Sequence, residues 1–425
     1  MRIIPLFLVI LIHLSSKSQG IFSDYFTGER LRYDYILAGN SKNIHVYDQD
    51  FIREPIWGGS KTNLTDTFRY GELWLEVTDS ISGRILYSRG YSSLFKEWQM
   101  VDEAKSMERA FSESLILPFP GRTVEIEIYN RDSDSGFQSI HSVFFNPFLK
   151  SVINSNPPYG EDIRNLMITG PSDEKVDIAM IAEGYEVTQK DEFYRDAEKY
   201  RVKFFTWEPY RSYKDKFNFY AIFVPSGNSG TDIPGDSIWR NTAMNSSFYT
   251  FGNERYLTVS NMRTLREIAS QVPYDQLCVL VNTDKYGGGG VFNSFTVFAS
   301  KNEYSEFLFM HEFGHAFAAL ADEYYTSPTA YDDIIEIHIE PYQPNITTLI
   351  DFSSKWKDMI YDTIPLPTPN CKKYAGVVGV FEGAAYQAKG IYRPAYDCAM
   401  KSKACPEYCP VCRRAIERMI LFYCK

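Results

Sequence analysis

One stretch of the chain, FLFMHEFGHAFAALADEY at residues 307–324, restricts its possible structures more than any other. Within it, His311 and His315 are four residues apart, so an α-helix projects both imidazoles from one face, where they can share a metal ion. Glu312 lies one step round the helix, where its carboxylate can reach a water molecule on that metal. Chance predicts only about 0.005 such motifs in a chain with 6 histidines, so two unrelated surface histidines are a poor explanation.

This H-E-x-x-H spacing is typical of zinc peptidases, in which the metal lowers the pKa of its water and the glutamate takes the released proton. A catalytic zinc site also needs a third protein ligand and one open position. His338, in IEIHIE, is the only histidine after the motif and is expected on a strand face, so a carboxylate is favoured. Asp322 is the preferred candidate, Glu323 is the alternative, and Glu382 is a more distant one.

The position of Asp322 also predicts where the helix must end. In a straight helix, Asp322 would lie about 10.5 Å along the axis from His315, at about 1.5 Å per residue. That distance is too long for both side chains to bind one ion. We therefore expect the chain to turn near Ala319 and Leu320.

Charge and apolar patterning exclude other classes of protein. The chain has 44 basic and 54 acidic residues, a net charge of −10, which argues against a nucleic-acid partner. Residues 1–20 combine Arg2, an apolar run over 3–14 and a small-residue exit at 18–20, which predicts a secretory signal peptide. Because no later segment has 18 uninterrupted apolar residues, we expect an exported protein, periplasmic or extracellular, without a membrane span.

The cysteines are unevenly distributed along the chain. Cys278 stands alone in the apolar run LCVLV and is expected to be a buried free thiol. The other six fall within the final 55 residues: Cys371, Cys398, Cys405, Cys409, Cys412 and Cys424. In an exported chain this clustering favours local disulfides. Alternatively, the C-x-x-x-C-x-x-C run of Cys405, Cys409 and Cys412 holds a structural zinc ion.

The two halves of the chain have different sequence patterns. Residues 21–147 contain short alternating segments separated by turn residues, which predicts an all-β, sandwich-like domain. These segments are ELWLEV, GRILYSRGY, SESLILPF, TVEIEIYN and SIHSVFF. Residues 148–172 are rich in Pro, Asn and Gly and are expected to be a linker. In residues 173–425, strand patterns alternate with helical ones, which predicts an α/β catalytic domain.

Four glycines at residues 287–290 precede an alternating strand just upstream of His311. They lack the Lys-Ser/Thr partner of a phosphate-binding P-loop, so we expect a flexible rim beside a cleft. The strand after Gly290 is expected to pair with an extended substrate at its edge.

Several motifs in a fixed order point to one family. They are HEFGHAFAALADEY, AEGY at 182–185, NTDKYGGGG at 282–290, VFEGAAYQAKGIYRP at 380–394, and CAMKS with CPVC near the C-terminus. Together they resemble the IgA Peptidase family of secreted bacterial zinc metallopeptidases. The resemblance covers most of residues 170–425, and residues 21–147 resemble the accessory domain that often precedes this catalytic unit.

The resemblance implies a metzincin-like catalytic domain of α/β (α+β) class, with a methionine turn beneath the zinc ion. Met400 occupies the matching position. Tyr392 and Tyr386 lie upstream of it, and either is a candidate to donate a hydrogen bond to the oxyanion that forms on the attacked carbonyl. Members of the family often carry glycine at the position of Ala319, so here an ordinary residue must adopt an unusual backbone geometry.

The sequence therefore predicts an exported, two-domain zinc metalloendopeptidase that acts on proteins or peptides. His311, His315 and Asp322 are its predicted metal ligands, and Glu312 is its general base. The alternative is a binding or adhesion protein for host glycans or proteins whose peptidase fold has lost activity. The presence of Glu312, a proton acceptor beside the metal, argues against this alternative. A third hypothesis is a zinc-dependent hydrolase of non-peptide amides.

Overall fold

The N-terminal half forms two β-sheets, and apolar side chains that alternate along the strands form one core between them. The computed structural model describes residues 22–132, 136–149, 151–155, 162–326 and 335–424, so the predicted signal peptide lies outside the described residues. One sheet has the spatial order β5 (Arg109–Pro120), β1 (Phe26–Gly39), β2 (Ile44–Glu54) and β8 (Val152–Asn154). The other has the order β4 (Ile85–Tyr91), β3 (Leu73–Asp79), β6 (Val124–Arg131) and β7 (Phe137–Phe145). Side chains such as Tyr33 of β1 and Leu75 of β3 are buried in one cluster between them.

The second half of the chain contains a six-stranded mixed sheet. Its spatial order is β15 (Gly288–Val291), β16 (Phe295–Ala299), β14 (Gln276–Val281), β10 (Val176–Glu183), β11 (Phe217–Ile222) and β9 (Ile163–Met167). The four inner strands are parallel, and both edge strands run antiparallel to their neighbours. Every residue of β10, β11 and β14 is buried, as expected for strands of a parallel sheet that is covered on both faces. The molecule is thus mixed α/β, as predicted.

Helices and short hairpins surround this sheet. The helices are α1 (Leu94–Trp98), α2 (Lys190–Phe204), α3 (Met262–Ala269), α4 (Ser305–Ala318) and α5 (Pro410–Tyr423). Two small hairpins pair β12 (Ser246–Ser247) with β13 (Thr258–Val259), and β17 (Phe381–Ala384) with β18 (Gln387–Arg393). Helix α4 packs against β15, β16 and α5, and most of its side chains are buried. Within the described residues, no helix combines the length and apolar character that a membrane span needs.

The segment predicted as a linker, 148–172, contributes a strand to each half. Strand β8 pairs with β2 of the N-terminal half, and β9 pairs with β11 of the mixed sheet. The domain boundaries proposed from the sequence stay predictions. The five alternating segments singled out in the sequence correspond to β3, β4, β5, β6 and β7, whereas β1 and β2 were not predicted.

The cysteines correct one expectation from the sequence. All seven are free, so the predicted local disulfides are not formed. The Sγ atoms of Cys398 and Cys412 lie 3.9 Å apart, whereas a disulfide requires about 2.05 Å. Cys371 is exposed, and Cys278 is buried on β14, as predicted for a free thiol.

Buried charges connect the two halves of the molecule. The Arg30 guanidinium, which is fully buried, lies 2.5 Å from Glu54 and packs 4.0 Å from the ring of Tyr274. Arg32 also pairs with Glu54, at 2.9 Å, and with Glu267 of the second half, at 2.7 Å. The charged face of β1 is therefore covered by the second half, and each charge there depends on its partner because water is excluded.

Replacement of Glu54 should test this dependence. Glu54→Ala leaves Arg30 buried without a counter-charge, so we expect the free energy of unfolding to fall by about 3–5 kcal/mol. The measurement is urea denaturation followed by fluorescence. Glu29→Ala is the matched control, because Glu29 pairs with Arg53 at the surface, and its loss should cost no more than about 1 kcal/mol. Equal losses in the two variants would contradict the role given to burial.

Candidate metal centre

Helix α4 brings His311 and His315 together and fixes the orientation of both rings. The Nδ1 atom of His311 lies 3.0 Å from the carbonyl oxygen of Ala399, and that of His315 lies 2.5 Å from the carbonyl oxygen of Leu320. A carbonyl oxygen can only accept, so each Nδ1 carries the proton and donates it. The lone pair is then on each Nε2, and these two atoms lie 3.2 Å apart. Both rings thus present a ligand atom to the same point.

A left-handed turn ends the helix after the second histidine. Ala319 has φ of +52°, in the left-handed region that favours glycine. The N–H of Ala319 donates to His315, and that of Leu320 donates to Gly314, which satisfies carbonyl groups at the helix end. The turn lies where the sequence predicted it, and it uses an alanine in the expected unusual geometry. It directs the following residues back toward the histidine rings.

Asp322 lies directly beside both histidines. Its Oδ1 atom is 3.1 Å from Nε2 of His311 and 3.3 Å from Nε2 of His315. Its Oδ2 atom accepts a hydrogen bond of 2.6 Å from the hydroxyl of Tyr386. Among the described residues, Oδ1 is buried and has no hydrogen-bond partner. When both rings are neutral, two nitrogen lone pairs and a carboxylate oxygen therefore converge with no donor between them.

Such a group of acceptors requires a positive charge. Burial lowers the pKa of His315, but the Asp322 carboxylate outweighs burial and raises that pKa to about 9. The site therefore binds a proton tightly when no metal is present. Two imidazoles and one carboxylate, all within 4.8 Å of one another, are also a donor set of catalytic zinc sites. The residues present fit a metal ion.

The side chain of Glu312 is buried where α4 packs against the glycine strand β15. A Cβ atom on Gly288 would lie 2.9 Å from Cγ of Glu312, and one on Gly290 would lie 2.2 Å from its carbonyl oxygen. Glycine is required at both positions because the strand approaches the helix so closely. Burial raises the pKa of Glu312, so its carboxylate holds a proton more readily than it would in water.

The glycine segment agrees only in part with what the sequence predicted. Its four glycines line a cavity together with the histidines, as predicted for the rim of a cleft, but residues 288–291 form an edge strand instead of a flexible loop. The strand after Gly290, β16, lies between β15 and β14, so it has no free edge for a substrate. At the edge of β15, Gly288 already pairs with Tyr256.

The segment around Met400 forms the floor of the site. Met400 is fully buried, and a Cβ atom on Gly314 would lie 3.1 Å from its Sδ atom, so its side chain lies against α4. The carbonyl of Met400 accepts a hydrogen bond of 2.8 Å from the N–H of Glu323, and the preceding residue holds His311. This floor connects the helix with the chain that follows it.

Three other residues considered from the sequence lie away from the histidines. The carboxylate of Glu323 accepts a hydrogen bond of 3.0 Å from Asn345 and lies among buried cysteines. Glu382 pairs with Lys389 at 2.9 Å. Tyr392 is held by backbone hydrogen bonds to residue 347 and does not line the cavity described below.

Tyr324 also belongs to the site, although the sequence motifs did not predict a role for it. Its hydroxyl lies 3.0 Å from that of Tyr386, and its ring stacks on His311 with 6.5 Å between centroids. Its position two residues after Asp322 is the signal that could have identified it. Tyr386 therefore donates to Asp322, and Tyr324 lies beside both Tyr386 and the same carboxylate.

A cavity of about 970 Å³ opens above these residues and is lined by both halves of the molecule. The N-terminal half contributes Glu72, Ser92 and Glu97.

Residues 165–375 and 370–420 match the family model described as IgA Peptidase M64, and residues 21–142 match the model described as Peptidase M64 N-terminus. The chain belongs to the IgA peptidase M64 family. No curated protein of similar sequence was found.

Membership of the M64 family confirms the resemblance identified from the sequence motifs. It implies peptidase activity on a protein or peptide substrate, and the N-terminal half is the N-terminal domain of that family. The roles assigned to individual residues stay predictions, although the structure brings His311, Glu312, His315 and Asp322 together around one point.

The turn at Ala319 can be tested by exchange for glycine. Ala319→Gly relieves the left-handed strain, so we expect the free energy of unfolding to rise by up to about 1 kcal/mol. Ala318→Gly, one residue earlier in the last helical turn, should lower it by about 1 kcal/mol. Both variants are measured by urea denaturation with a chelator present, so that metal binding does not contribute. Destabilisation by both exchanges would show that residue 319 is not strained.

Proposed function

We propose that this M64 family member is an exported zinc metalloendopeptidase. The observation that carries the proposal is the convergence of two Nε2 atoms and Oδ1 of Asp322 beside the buried Glu312, inside a large cavity. His311, His315 and Asp322 would hold the zinc ion. When bound, zinc would supply Lewis acidity that polarises the peptide carbonyl and lowers the pKa of water.

The chain's own residues would carry out the remaining steps. Glu312 would accept a proton from the attacking water and return it to the leaving amine, a role that suits a carboxylate whose pKa burial raises. Tyr386 would orient Asp322 through the hydrogen bond to Oδ2. The two backbone carbonyls that accept from the histidines would keep both rings in the tautomer that binds a metal.

Two features of the site support a metzincin-like arrangement as part of this proposal. Met400 packs beneath the helix that carries the histidines, and a sharp turn after that helix returns the third ligand to them. The buried thioether would keep water away from the lower side of the site, so that the open position faces the cavity.

The size and walls of the cavity favour a peptide segment as substrate. About 970 Å³ is near the upper end of the range for ligand pockets, roughly 300–1,000 Å³. Glu97 of the N-terminal half accepts a hydrogen bond from Tyr256 at the cavity wall, and the N–H of Ser92 donates to Phe292 at 3.0 Å. The N-terminal domain would therefore take part in shaping the substrate site.

The inactive binding protein is the less favoured alternative, because a buried Glu312 beside the ligands is costly to keep without a proton to transfer. The amide-hydrolase hypothesis differs from the proposal in its substrate. Zinc content by mass spectrometry, followed by cleavage of a mixed peptide library, distinguishes the three. Bound zinc without peptide cleavage would contradict the proposal.

Replacement of the proposed base should separate metal binding from catalysis. Glu312→Gln removes the proton acceptor but no metal ligand, so we expect the zinc content to be unchanged and kcat to fall by on the order of 10²–10⁴-fold. His315→Ala should lose both zinc and activity. The readouts are zinc per chain and hydrolysis of a peptide selected from the library. Activity near the wild-type level in Glu312→Gln would exclude its role as the base.

Tyr386 and Tyr392 provide a variant and a matched control for the hydrogen bond to Asp322. Tyr386→Phe removes the hydrogen bond to Oδ2, and we expect zinc affinity or kcat/KM to fall by about 10–100-fold. Tyr392→Phe removes a hydroxyl away from the cavity and should leave both unchanged. The measurements are zinc competition with a chelator and steady-state kinetics. A larger effect at Tyr392 would reverse the assignment of the two tyrosines.

A further inference from the structure

A second group of potential metal ligands lies below the floor of the catalytic site. Cys398, Cys409, Cys412 and Glu323 are all buried, and one ligand atom from each lies within 4.8 Å of the others. They come from three separate segments. Glu323 follows α4, Cys398 precedes Met400, and the other two cysteines lie at the start of α5.

The distances within this group match those of a tetrahedral zinc site. With Zn–S of about 2.3 Å and Zn–O of about 2.0 Å, tetrahedral geometry places two sulfur ligands about 3.8 Å apart, and a sulfur and an oxygen about 3.5 Å apart. The Sγ atoms of Cys398 and Cys412 are 3.9 Å apart, and Sγ of Cys412 is 3.2 Å from Oε1 of Glu323. The ligand atoms are thus already spaced for one ion between them.

The carboxylate of Glu323 is the observation that points most directly to a ligand. Its side chain is fully buried, and Oε2 has no hydrogen-bond partner among the described residues. Only Oε1 accepts from an amide, that of Asn345, at 3.0 Å. A buried carboxylate oxygen without a partner is strongly unfavourable, and it becomes favourable when a cation binds.

Backbone N–H groups also favour the thiolate form of these cysteines. The N–H of Cys409 donates to Sγ of Cys398 at 3.3 Å, and the N–H of Cys412 donates to Sγ of Cys409 at 3.5 Å. Cys409 is the N-cap residue of α5, where the helix dipole stabilises negative charge. Sulfur atoms that accept from N–H groups at a helix N-terminus are suited to bind a metal as thiolates.

We propose that Cys398, Cys409, Cys412 and Glu323 bind a structural zinc ion, separate from the catalytic one. This set differs from the run considered in the sequence, since Sγ of Cys405 lies 3.7 Å from the carbonyl of Glu407, outside the group. A disulfide is a poorer match, because pairing two of the three cysteines leaves one buried thiol and gives Oε2 of Glu323 no partner among the described residues. Zinc satisfies all four ligands at once.

The ion would stabilise the two segments that position the catalytic ligands. Glu323 is adjacent to Asp322, and Cys398 is adjacent to Ala399, whose carbonyl orients His311. A metal ion that joins these two segments to α5 would hold Asp322 and the segment around Met400 in fixed positions relative to each other. This role does not depend on the chemistry in the cavity above, so the two zinc sites can be tested separately.

The test uses the full chain with the catalytic ligands removed. We expect the His311→Ala/His315→Ala variant, loaded with zinc and dialysed, to retain one zinc per chain. Its X-ray absorption fine structure should show sulfur neighbours at about 2.3 Å. The inference is overturned if this variant holds no zinc, if its zinc has only nitrogen and oxygen neighbours, or if mass spectrometry finds a disulfide among the three cysteines.

Variants of the wild-type chain provide the second arm. Cys412→Ser and Glu323→Gln should each weaken binding of the sulfur-coordinated zinc at least tenfold, whereas Cys405→Ser should leave it unchanged. Because Cys412→Ser can prevent folding, wild-type protein loaded with cobalt is measured as well. Thiolate-to-cobalt charge-transfer absorption is expected, and its absence would refute the inference. If no peptide cleavage is detected but this absorption appears, the proposed peptidase function is wrong and the structural metal site is retained.

Discussion

The structure around the cavity depends on three acceptor atoms held within a few ångströms of one another. Two imidazole nitrogens and one carboxylate oxygen repel one another unless a cation lies between them, so they must be held in place by the surrounding chain. Each histidine is tied to a backbone carbonyl, and Asp322 is tied to Tyr386. This convergence is the strongest physical reason to regard the site as a metal centre.

The supports of this group come from distant parts of the sequence. His311 is oriented by a carbonyl 88 residues away, and Asp322 by a hydroxyl 64 residues away. Both supporting segments belong to the C-terminal part of the chain, which also carries the three cysteines below the floor. The proposed structural zinc ion would explain why buried thiols and a buried carboxylate lie so close to His311 and Asp322. The two sites would then form one supporting layer beneath the cavity.

The N-terminal half is more than an appended module, because its charged face is buried. Strand β1 alternates apolar and charged residues, and the apolar ones fill the core between its two sheets. The charged ones, Arg30 and Arg32, are buried instead against the second half. Other contacts between the halves hold Glu72 and Glu97 at the wall of the cavity, through hydrogen bonds from Tyr342 and Tyr256. The N-terminal half therefore contributes both to the buried interface and to the cleft.

The sequence alone determined those features that depend on local spacing. A helix places residues four apart on one face, so His311 and His315 could be paired without a structure, and the alternation in residues 73–145 predicted strands for the same local reason. Only the tertiary structure shows that Asp322, and not Glu323, lies beside the histidines, because the chain turns at Ala319 and the two carboxylates then reach different groups of residues. The grouping of Cys398 with Cys409 and Cys412 likewise depended on tertiary structure, because spacing in sequence does not specify which loops meet in space.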